Sequence, residues 1–167
     1  MTQKAITIGQ PQGAAEIEAV KALFLEYAQS LGFSLCFQGF DEEMATFPAK
    51  YSPPKGGLLL AKVDGVAAGA VGVWQLAPGI CEMKRLYLKP QFRGLDLGRR
   101  MAEAVVAEGR RLGYGAMRLD TLKTMAAARA LYASMGFREV EPYYNNPIDG
   151  AVYMELALSP GTGSALD

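Results

Sequence analysis

The chain has 167 residues, of which 50% are hydrophobic and 20% charged, and this composition is typical of one globular domain with a full core. Seventeen basic residues balance seventeen acidic ones, so the net charge gives no support for a nucleic-acid partner. The chain has no histidine and two cysteines, Cys36 and Cys81, which excludes histidine-based triads, mixed cysteine and histidine zinc sites and a disulfide framework. We predict no metal site.

The N-terminal sequence MTQKAITIGQPQG lacks the apolar region of a secretory signal, and no uninterrupted apolar run is long enough to cross a bilayer. We therefore expect a cytoplasmic protein with no membrane partner. Residues 1–158 are expected to form a single domain, because neither an internal repeat nor a linker interrupts them. The remaining residues 159–167, SPGTGSALD, are expected to form a flexible tail.

In the first half of the chain, hydrophobic periodicity predicts an edge strand, an amphipathic helix and an antiparallel meander. The strands are expected at residues 5–8, 57–63, 66–76 and 80–88. Asp64-Gly65 is the two-residue hairpin turn between the second and third of these strands. The helix ends near Gly32, and its apolar stripe at spacings of three and four consists of Ile17, Val20, Leu23, Phe24, Tyr27 and Leu31.

Residues 33–54 follow no single period, although a short helix is expected at residues 41–47. Aromatic side chains are scattered among the turn residues of this segment, at Phe33, Phe37, Phe40, Phe47 and Tyr51. Such a segment either packs beneath its own loop or forms the wall of a ligand pocket, and packing is the commoner role.

The second half of the chain alternates helices and strands. Helices are predicted from Leu97 to near Gly113 and across residues 125–135, and strands at residues 116–121, 137–140 and 151–158. This alternation indicates right-handed crossovers between parallel neighbours. Together with the meander, it predicts an α/β (α+β) fold in which a mixed sheet of about six to seven strands is flanked by about four helices.

The stretch ICEMKRLYLKPQFRGLDLGRR, at residues 80–100, contains a strand, a short turn and the start of a helix. Unpaired N–H groups and the helix dipole make such a start a site for phosphate, and glycine lets a ligand approach the backbone. Residues 84–111 hold eight basic and three acidic side chains, so positive charge is concentrated here. That concentration suits a small anionic ligand, although a solvated helix face explains it equally well.

The spacing of arginine and glycine in this turn matches neither a P-loop nor a dinucleotide-binding fingerprint. The sequence RGLDLGR at residues 93–99, after the triplet Leu86-Tyr87-Leu88, resembles the acetyl-CoA turn R/Q-x-x-G-x-G/A of the GNAT superfamily of N-acetyltransferases. Arg93 fills the first position and Gly98 the last, while Asp96 replaces the middle glycine.

A second segment, AAARALYASMGF at residues 126–137, resembles the helix of that superfamily that ends in LYxxxGF. Its matching residues are Leu131, Tyr132, Gly136 and Phe137, and Met125 stands where many members have asparagine. The two motifs occur in the family's order and spacing. The resemblance extends over residues 57–158.

The resemblance implies a GNAT-like sheet, antiparallel in its N-terminal part and with a parallel, splayed centre, and acetyl-CoA as the co-substrate. The residues that it implies for cofactor binding are Leu86, Tyr87, Leu88, Arg93, Gly94, Leu95, Asp96, Leu97, Gly98 and Arg99. Backbone near Leu86 and Leu88 would hold the pantetheine arm, and backbone N–H groups of residues 95–99 would hold the pyrophosphate. The Asp96 side chain either points away from the pyrophosphate or caps the helix.

The resemblance also implies catalytic roles. Tyr132 matches the family's general acid, although it lies on an apolar helix stripe and a core position is the alternative. Glu82 is the implied base, acting directly or through water, unless it pairs with a basic side chain across the sheet. Asp120 is the reserve choice for the base.

We therefore expect an N-acetyltransferase that moves an acetyl group from acetyl-CoA to a small-molecule or peptide amine by direct transfer in a ternary complex. An acyl-CoA-binding sensor with little or no turnover is the alternative that Asp96 and Met125 suggest. A nucleic-acid module on the basic helix face ranks last. The acceptor stays open: an amine with an apolar part fits the aromatic segments, and Arg85 or Lys84 would hold the carboxylate of an amino-acid-like acceptor. The sequence also leaves a homodimer open.

Overall fold

The structure is a computed structural model in which residues 5–32, 34–35, 39–144 and 146–158 are described. Phe33, Cys36, Phe37, Asn145 and the tail at residues 159–167 lie outside the described residues. Within those ranges, no helix is both long and apolar enough to cross a membrane. The same ranges contain no cluster of three or more Cys, Asp or Glu side chains that could hold a metal ion.

One mixed sheet of seven strands forms the centre of the described chain. Its strands are β1 (Ile6–Gly9), β2 (Gly57–Val63), β3 (Val66–Ala77), β4 (Ile80–Leu88), β5 (Ala116–Leu122), β6 (Arg138–Val140) and β7 (Ala151–Ala157). They lie in the order β1-β2-β3-β4-β5-β7-β6, and every neighbouring pair is antiparallel except β4 and β5. The predicted mixed sheet and its antiparallel meander are confirmed.

Four α-helices flank the sheet in the described residues, namely α1 (Gly13–Ser30), α2 (Phe40–Ala45), α3 (Leu97–Arg111) and α4 (Ala126–Ser134). The first two pack on one face, where Phe24 and Met44 belong to a common core. The other two pack on the opposite face, where Leu97, Met101 and Tyr132 are buried. Burial of each large apolar side chain contributes about 1.5–3 kcal/mol, so these stripes hold the helices against the sheet.

The prediction of parallel neighbours in the second half is correct for β4 and β5 and wrong for the remaining strands. β7 lies between β5 and β6 and is antiparallel to both. All seven residues of β5 pair with β7, from Ala116↔Ala157 to Leu122↔Ala151, whereas β6 has only three residues. The longer strand therefore gains the central position because it can satisfy more backbone hydrogen bonds of β5.

The sheet opens between β4 and β5. These strands share three residue pairs, ending at Glu82↔Arg118, and no pairing between described residues continues beyond them. The register between β3 and β4 shifts just after this point, and Arg85 has a left-handed φ of 61° there. A β-bulge of this kind bends a strand, so β4 turns away from β5 and leaves the gap that the resemblance implies.

Candidate active site

Two adjoining cavities lie where β4 and β5 diverge. They share the lining residues Tyr27, Met83, Arg85, Asp120, Thr121 and Met125. One, the α4-side cavity, is completed by Leu86, Leu119, Ala128 and Tyr132. The other, the α1-side cavity, is completed by Leu31, Leu35, Lys84, Leu122, Asn146 and Ile148. The split in the sheet therefore joins a space beside α4 to a space beside α1.

Tyr132 lines the α4-side cavity and is only 6% exposed. Burial raises the pKa of its phenol, and the neighbouring Tyr27 and Asp120 raise it further. No side-chain or backbone group among the described residues forms a hydrogen bond with the Tyr132 hydroxyl. The phenol is therefore a protonated donor at neutral pH, and it faces a cavity without a protein acceptor to receive its proton.

Glu82 is buried at the last pair of the β4–β5 ladder. Its carboxylate accepts a hydrogen bond of 2.8 Å from the Trp74 indole and another of 2.8 Å from the Tyr143 hydroxyl. The Lys84 ammonium lies 3.8 Å from the same carboxylate. Glu82 is absent from the described lining of both cavities, and of its partners Lys84 lines the α1-side cavity.

Asp120, on β5, lines both cavities. Its carboxylate accepts hydrogen bonds of 2.6 Å from the Tyr144 hydroxyl and 3.3 Å from the Asn146 side-chain amide. Asn146 in turn accepts the backbone N–H of Ile148 at 2.8 Å, which fixes the orientation of its amide. Uncharged donors thus hold the Asp120 carboxylate in place, and the residue lines both cavities.

Consecutive tyrosines in the loop after β6 bind both candidate bases, since Tyr143 donates to Glu82 and Tyr144 to Asp120. The Tyr143 and Tyr144 rings also contact each other, with centroids 5.7 Å apart. Burial raises the pKa of Tyr143, and the negative charges of Glu82 and Asp120 add to that effect. The Tyr143 phenol therefore stays protonated, and the hydroxyls of both tyrosines are hydrogen-bond donors that hold this loop against the sheet.

Arg85 and Lys84 are both buried and both close to carboxylates. The Arg85 guanidinium binds Glu43 of α2 through Nη2–Oε1 at 2.9 Å and Nε–Oε2 at 3.4 Å. The Tyr51 hydroxyl donates a third hydrogen bond, of 2.7 Å, to the same carboxylate. Burial lowers the pKa of Lys84, and the nearby Glu82 opposes that effect.

The turn before α3 exposes its backbone, rather than its side chains, at the start of the helix. Gly94 and Asp96 have left-handed φ values of 93° and 59°. Asp96 is the N-cap residue, but its side chain makes no capping hydrogen bond. The Leu97 side chain is buried in the core, whereas a Cβ added at Gly98 would meet nothing within 4 Å. The backbone of this turn is therefore accessible at the helix start.

A groove between α3 and α4 begins at this turn. It is lined by Gly94, Asp96, Leu97, Gly98, Arg99, Ala127, Ala130, Leu131 and Ser134. Arg99 crosses the groove and donates to the Ser134 hydroxyl at 2.7 Å. Arg93 points elsewhere, because its guanidinium donates to the Leu88 carbonyl at 3.0 and 3.2 Å. Of the two arginines in the turn, Arg99 is thus the one placed to meet an anion.

Residues 18–137 match the Acetyltransferase (GNAT) family. The chain belongs to this family. An uncharacterized N-acetyltransferase of Schizosaccharomyces pombe is 44% identical over 92% of this chain and 96% of its own length. A second relative, an uncharacterized N-acetyltransferase of Dictyostelium discoideum, is 31% identical over 86% of this chain and 95% of its own. The GNAT protein described here is therefore an acyltransferase.

Solved GNAT structures have the same fold. The acetyltransferase yncA from Salmonella typhimurium, solved with its cofactor acetyl-CoA, superimposes with a TM-score of 0.71. The match covers 98% of both chains at 20% sequence identity. It shows that the seven-stranded sheet and its flanking helices form a GNAT fold.

In the triplet Leu86-Tyr87-Leu88, the backbone groups of the first and third residues face the gap between β4 and β5. The N–H of Lys89 donates to Ala68 of β3 at 2.8 Å. Because backbone groups alternate along a strand, those of Leu86 and Leu88 point away from β3 and toward the gap. The Tyr87 side chain lies on the α1 face, where its hydroxyl donates to Glu26 at 2.8 Å. Tyr87 therefore supports α1 rather than the groove.

Several residues of the site were missed by sequence reasoning in their present roles. Glu43, the partner of Arg85, lies on a short helix 42 residues earlier in the chain, and no local pattern links the two. Tyr144 and Asn146 belong to no sequence motif, and their hydrogen bonds to Asp120 depend on how the loop after β6 folds over the sheet. The consecutive tyrosines Tyr143 and Tyr144 are the one feature of the sequence that could have indicated these contacts.

Proposed function

We propose that this GNAT protein transfers an acetyl group from acetyl-CoA to a primary amine by direct attack in a ternary complex. The observation that carries the proposal is the position of Tyr132, a buried and protonated phenol that lines the α4-side cavity beside Asp120. An acid and a carboxylate on opposite sides of the same gap are the two groups that amide formation from a thioester requires.

The groove and the gap fit the two ends of acetyl-CoA. Backbone N–H groups at the start of α3, with Arg99 beside them, suit a pyrophosphate. The outward-facing backbone groups of Leu86 and the N–H of Leu88 suit an extended, amide-containing arm that pairs like an added strand, while the Leu88 carbonyl accepts from Arg93. When bound, the co-substrate supplies an activated acetyl group, and its thioester would lie at the split beside Tyr132.

Asp120 is the group best placed to remove a proton from the amine. It lines both cavities, whereas the Glu82 carboxylate is covered by Trp74 and Tyr143. In the proposed reaction, the acceptor's N–C bond forms as the C–S bond breaks. The Asp120 carboxylate takes one proton from the acceptor's ammonium, and the resulting amine attacks the thioester carbonyl. The Tyr132 hydroxyl donates its proton to the departing sulfur, and its phenolate then takes the second proton from the new amide nitrogen, which regenerates the phenol. Glu82 then acts only through Tyr143 and Lys84.

Amine-dependent release of free thiol from acetyl-CoA tests this function, with each product identified by mass spectrometry. We expect thiol release to require both the protein and an amine, and to match the amount of N-acetylated amine formed. Binding of acetyl-CoA with no thiol release across a broad amine panel would overturn the proposal. That outcome would support an acyl-CoA sensor, the second candidate, which the Asp96 carboxylate in the α3–α4 groove favours.

A further inference from the structure

Among the described residues that line it, the α1-side cavity has four aliphatic side chains and one acidic group that an amine could contact. Leu31, Leu35, Leu122 and Ile148 provide the apolar side, and Asp120 provides the carboxylate. An acceptor whose nitrogen binds Asp120 therefore has aliphatic side chains available to its apolar part, in a cavity that Lys84, Arg85 and Thr121 also line. The charges around the cavity then determine whether the site can also accommodate a carboxylate on the acceptor.

The two cations that line the cavity already lie close to carboxylates of the protein. Arg85 and Glu43 are 2.9 Å apart, with side chains that are 2% and 7% exposed. Lys84 lies 3.8 Å from Glu82, and those side chains are 5% and 4% exposed. An incoming carboxylate would have to compete with these buried pairs, and breaking a buried pair is strongly destabilising.

The four buried groups Lys84, Arg85, Glu82 and Glu43 and the half-buried Asp120 are two cations and three carboxylates, so the sum of their charges is one negative charge. The neighbouring pair Arg118–Glu155, at 2.7 Å, is neutral. The undescribed residues 33, 36–38 and 145 include no Asp, Glu, Lys or Arg in the sequence. Burial favours the neutral form of Lys84, and loss of its charge would make the sum more negative.

We infer that the acceptor is a cationic primary amine with an apolar body and no adjacent carboxylate. This inference rests on the proposed acetyl transfer and names its substrate class. One ammonium brings the buried set to neutrality, whereas a zwitterionic amino acid leaves one uncompensated negative charge in a poorly solvated site. The ammonium then loses its proton to Asp120, and the uncharged amide product has no ion pair to hold it.

Three acceptors that share the same isobutyl side chain separate the effect of charge from that of size. They are isoamylamine, leucinamide and leucine. We expect isoamylamine and leucinamide to be acetylated with similar kcat/KM, and leucine with a kcat/KM lower by on the order of a hundredfold. Leucinamide is the control for bulk beside the amine. Equal or faster acetylation of leucine would overturn the inference while leaving the proposed acetyl transfer intact. Acetyl-CoA binding without acetylation of any amine would instead refute the transfer itself.

Glu43→Gln tests the charge argument within the protein. The substitution removes the carboxylate that faces Arg85 and should raise the leucine to isoamylamine ratio of kcat/KM by roughly tenfold. Glu42→Gln is the matched control, because Glu42 is the exposed neighbour on the same helix. An unchanged ratio in a folded Glu43→Gln protein would contradict the inference. If that variant does not fold, the comparison of the three acceptors on the original chain still decides the question.

Discussion

A buried tyrosine such as Tyr132 can serve in packing or as a proton donor, and its contacts distinguish the two roles. Its ring packs against Phe137 with centroids 5.7 Å apart, as a core residue would. Its hydroxyl, however, lines the α4-side cavity and forms no hydrogen bond within the described residues. The hydroxyl is not among the fully buried, unsatisfied atoms of the described residues, so it is open to the cavity, and this position suits proton donation.

Tyr132→Phe should therefore lower kcat by on the order of 10²–10⁴-fold, because it removes the proton donor and keeps the ring. The dissociation constant of acetyl-CoA should change little. Steady-state kinetics and calorimetry measure the two quantities. Tyr114→Phe is the control, since Tyr114 donates to the Lys55 carbonyl far from the cavities. Unchanged turnover in Tyr132→Phe would leave Tyr132 as a core residue.

The pH profile of kcat provides an independent check on the same phenol. A tyrosine with its ordinary pKa of 10.0 would be half ionised at pH 10, but burial raises the pKa of Tyr132 above that value. The donor thus stays protonated, and kcat should show no descending limb up to about pH 10. A descending limb below that pH, present in the original chain and absent in Tyr132→Phe, would contradict the account.

The choice between Glu82 and Asp120 is also decided at the scale of single residues. Asp120→Asn should lower kcat/KM by about a hundredfold or more, because the group that contacts the amine is lost. Glu82→Gln should cost less, since that carboxylate is covered and acts through its neighbours. Kinetics of both variants with one amine measure the difference. The opposite order of effects would assign the base to Glu82.

Sequence patterns identified Tyr132 as a candidate but favoured Glu82 over Asp120. The motif around Tyr132 is local, so a short segment is enough to place it. The environment of the two carboxylates depends instead on Trp74 and on the tyrosines of a loop about 61 and 24 residues away. Such long-range hydrogen bonds leave no trace in local spacing.

At the scale of elements, the start of α3 carries the most direct test of cofactor binding. A Cβ added at Gly98 meets nothing within 4 Å, and Gly98 has no left-handed φ, so a side chain there does not disturb the fold. Gly98→Trp should raise the dissociation constant of acetyl-CoA roughly tenfold or more, because the indole occupies the α3–α4 groove. A tenfold change corresponds to about 1.4 kcal/mol of binding free energy.

Calorimetric titration with acetyl-CoA measures this effect, and Gly98→Ala provides a graded control with a smaller side chain. Circular dichroism confirms that both variants keep their helices. Retained affinity in Gly98→Trp would mean that the pyrophosphate binds elsewhere.

Element boundaries were predictable because glycine and proline interrupt clear periodic patterns. The limits of β2 and β4 and the Asp64-Gly65 turn agree with the structure to the residue, and α3 begins at Leu97 as expected. The neighbours of the last strands were not predictable in this way. Whether β7 or β6 lies beside β5 depends on strand length and on the path of residues 141–150, and hydrophobic periodicity reports neither.

At the scale of the whole molecule, the split in the sheet joins the two halves of the proposed reaction. The cofactor groove lies on the face of α3 and α4, and the apolar wall for the acceptor lies toward α1. Between them lies the α4-side cavity, which contains Tyr132 and Asp120 and opens at the gap after the last β4–β5 pair. In the proposed reaction, donor and acceptor are bound together, and no protein group is acetylated.

A single-turnover experiment tests that central claim most directly. The protein is mixed in excess with acetyl-CoA and isoamylamine, the reaction is quenched at intervals, and thiol, N-acetylated amine and intact protein mass are measured. The account predicts that thiol and N-acetylated amine appear together in a one-to-one ratio, only when the amine is present, with no acetylated protein at any time. Thiol release that precedes the amide, or an acetylated protein that forms without the amine, would contradict it.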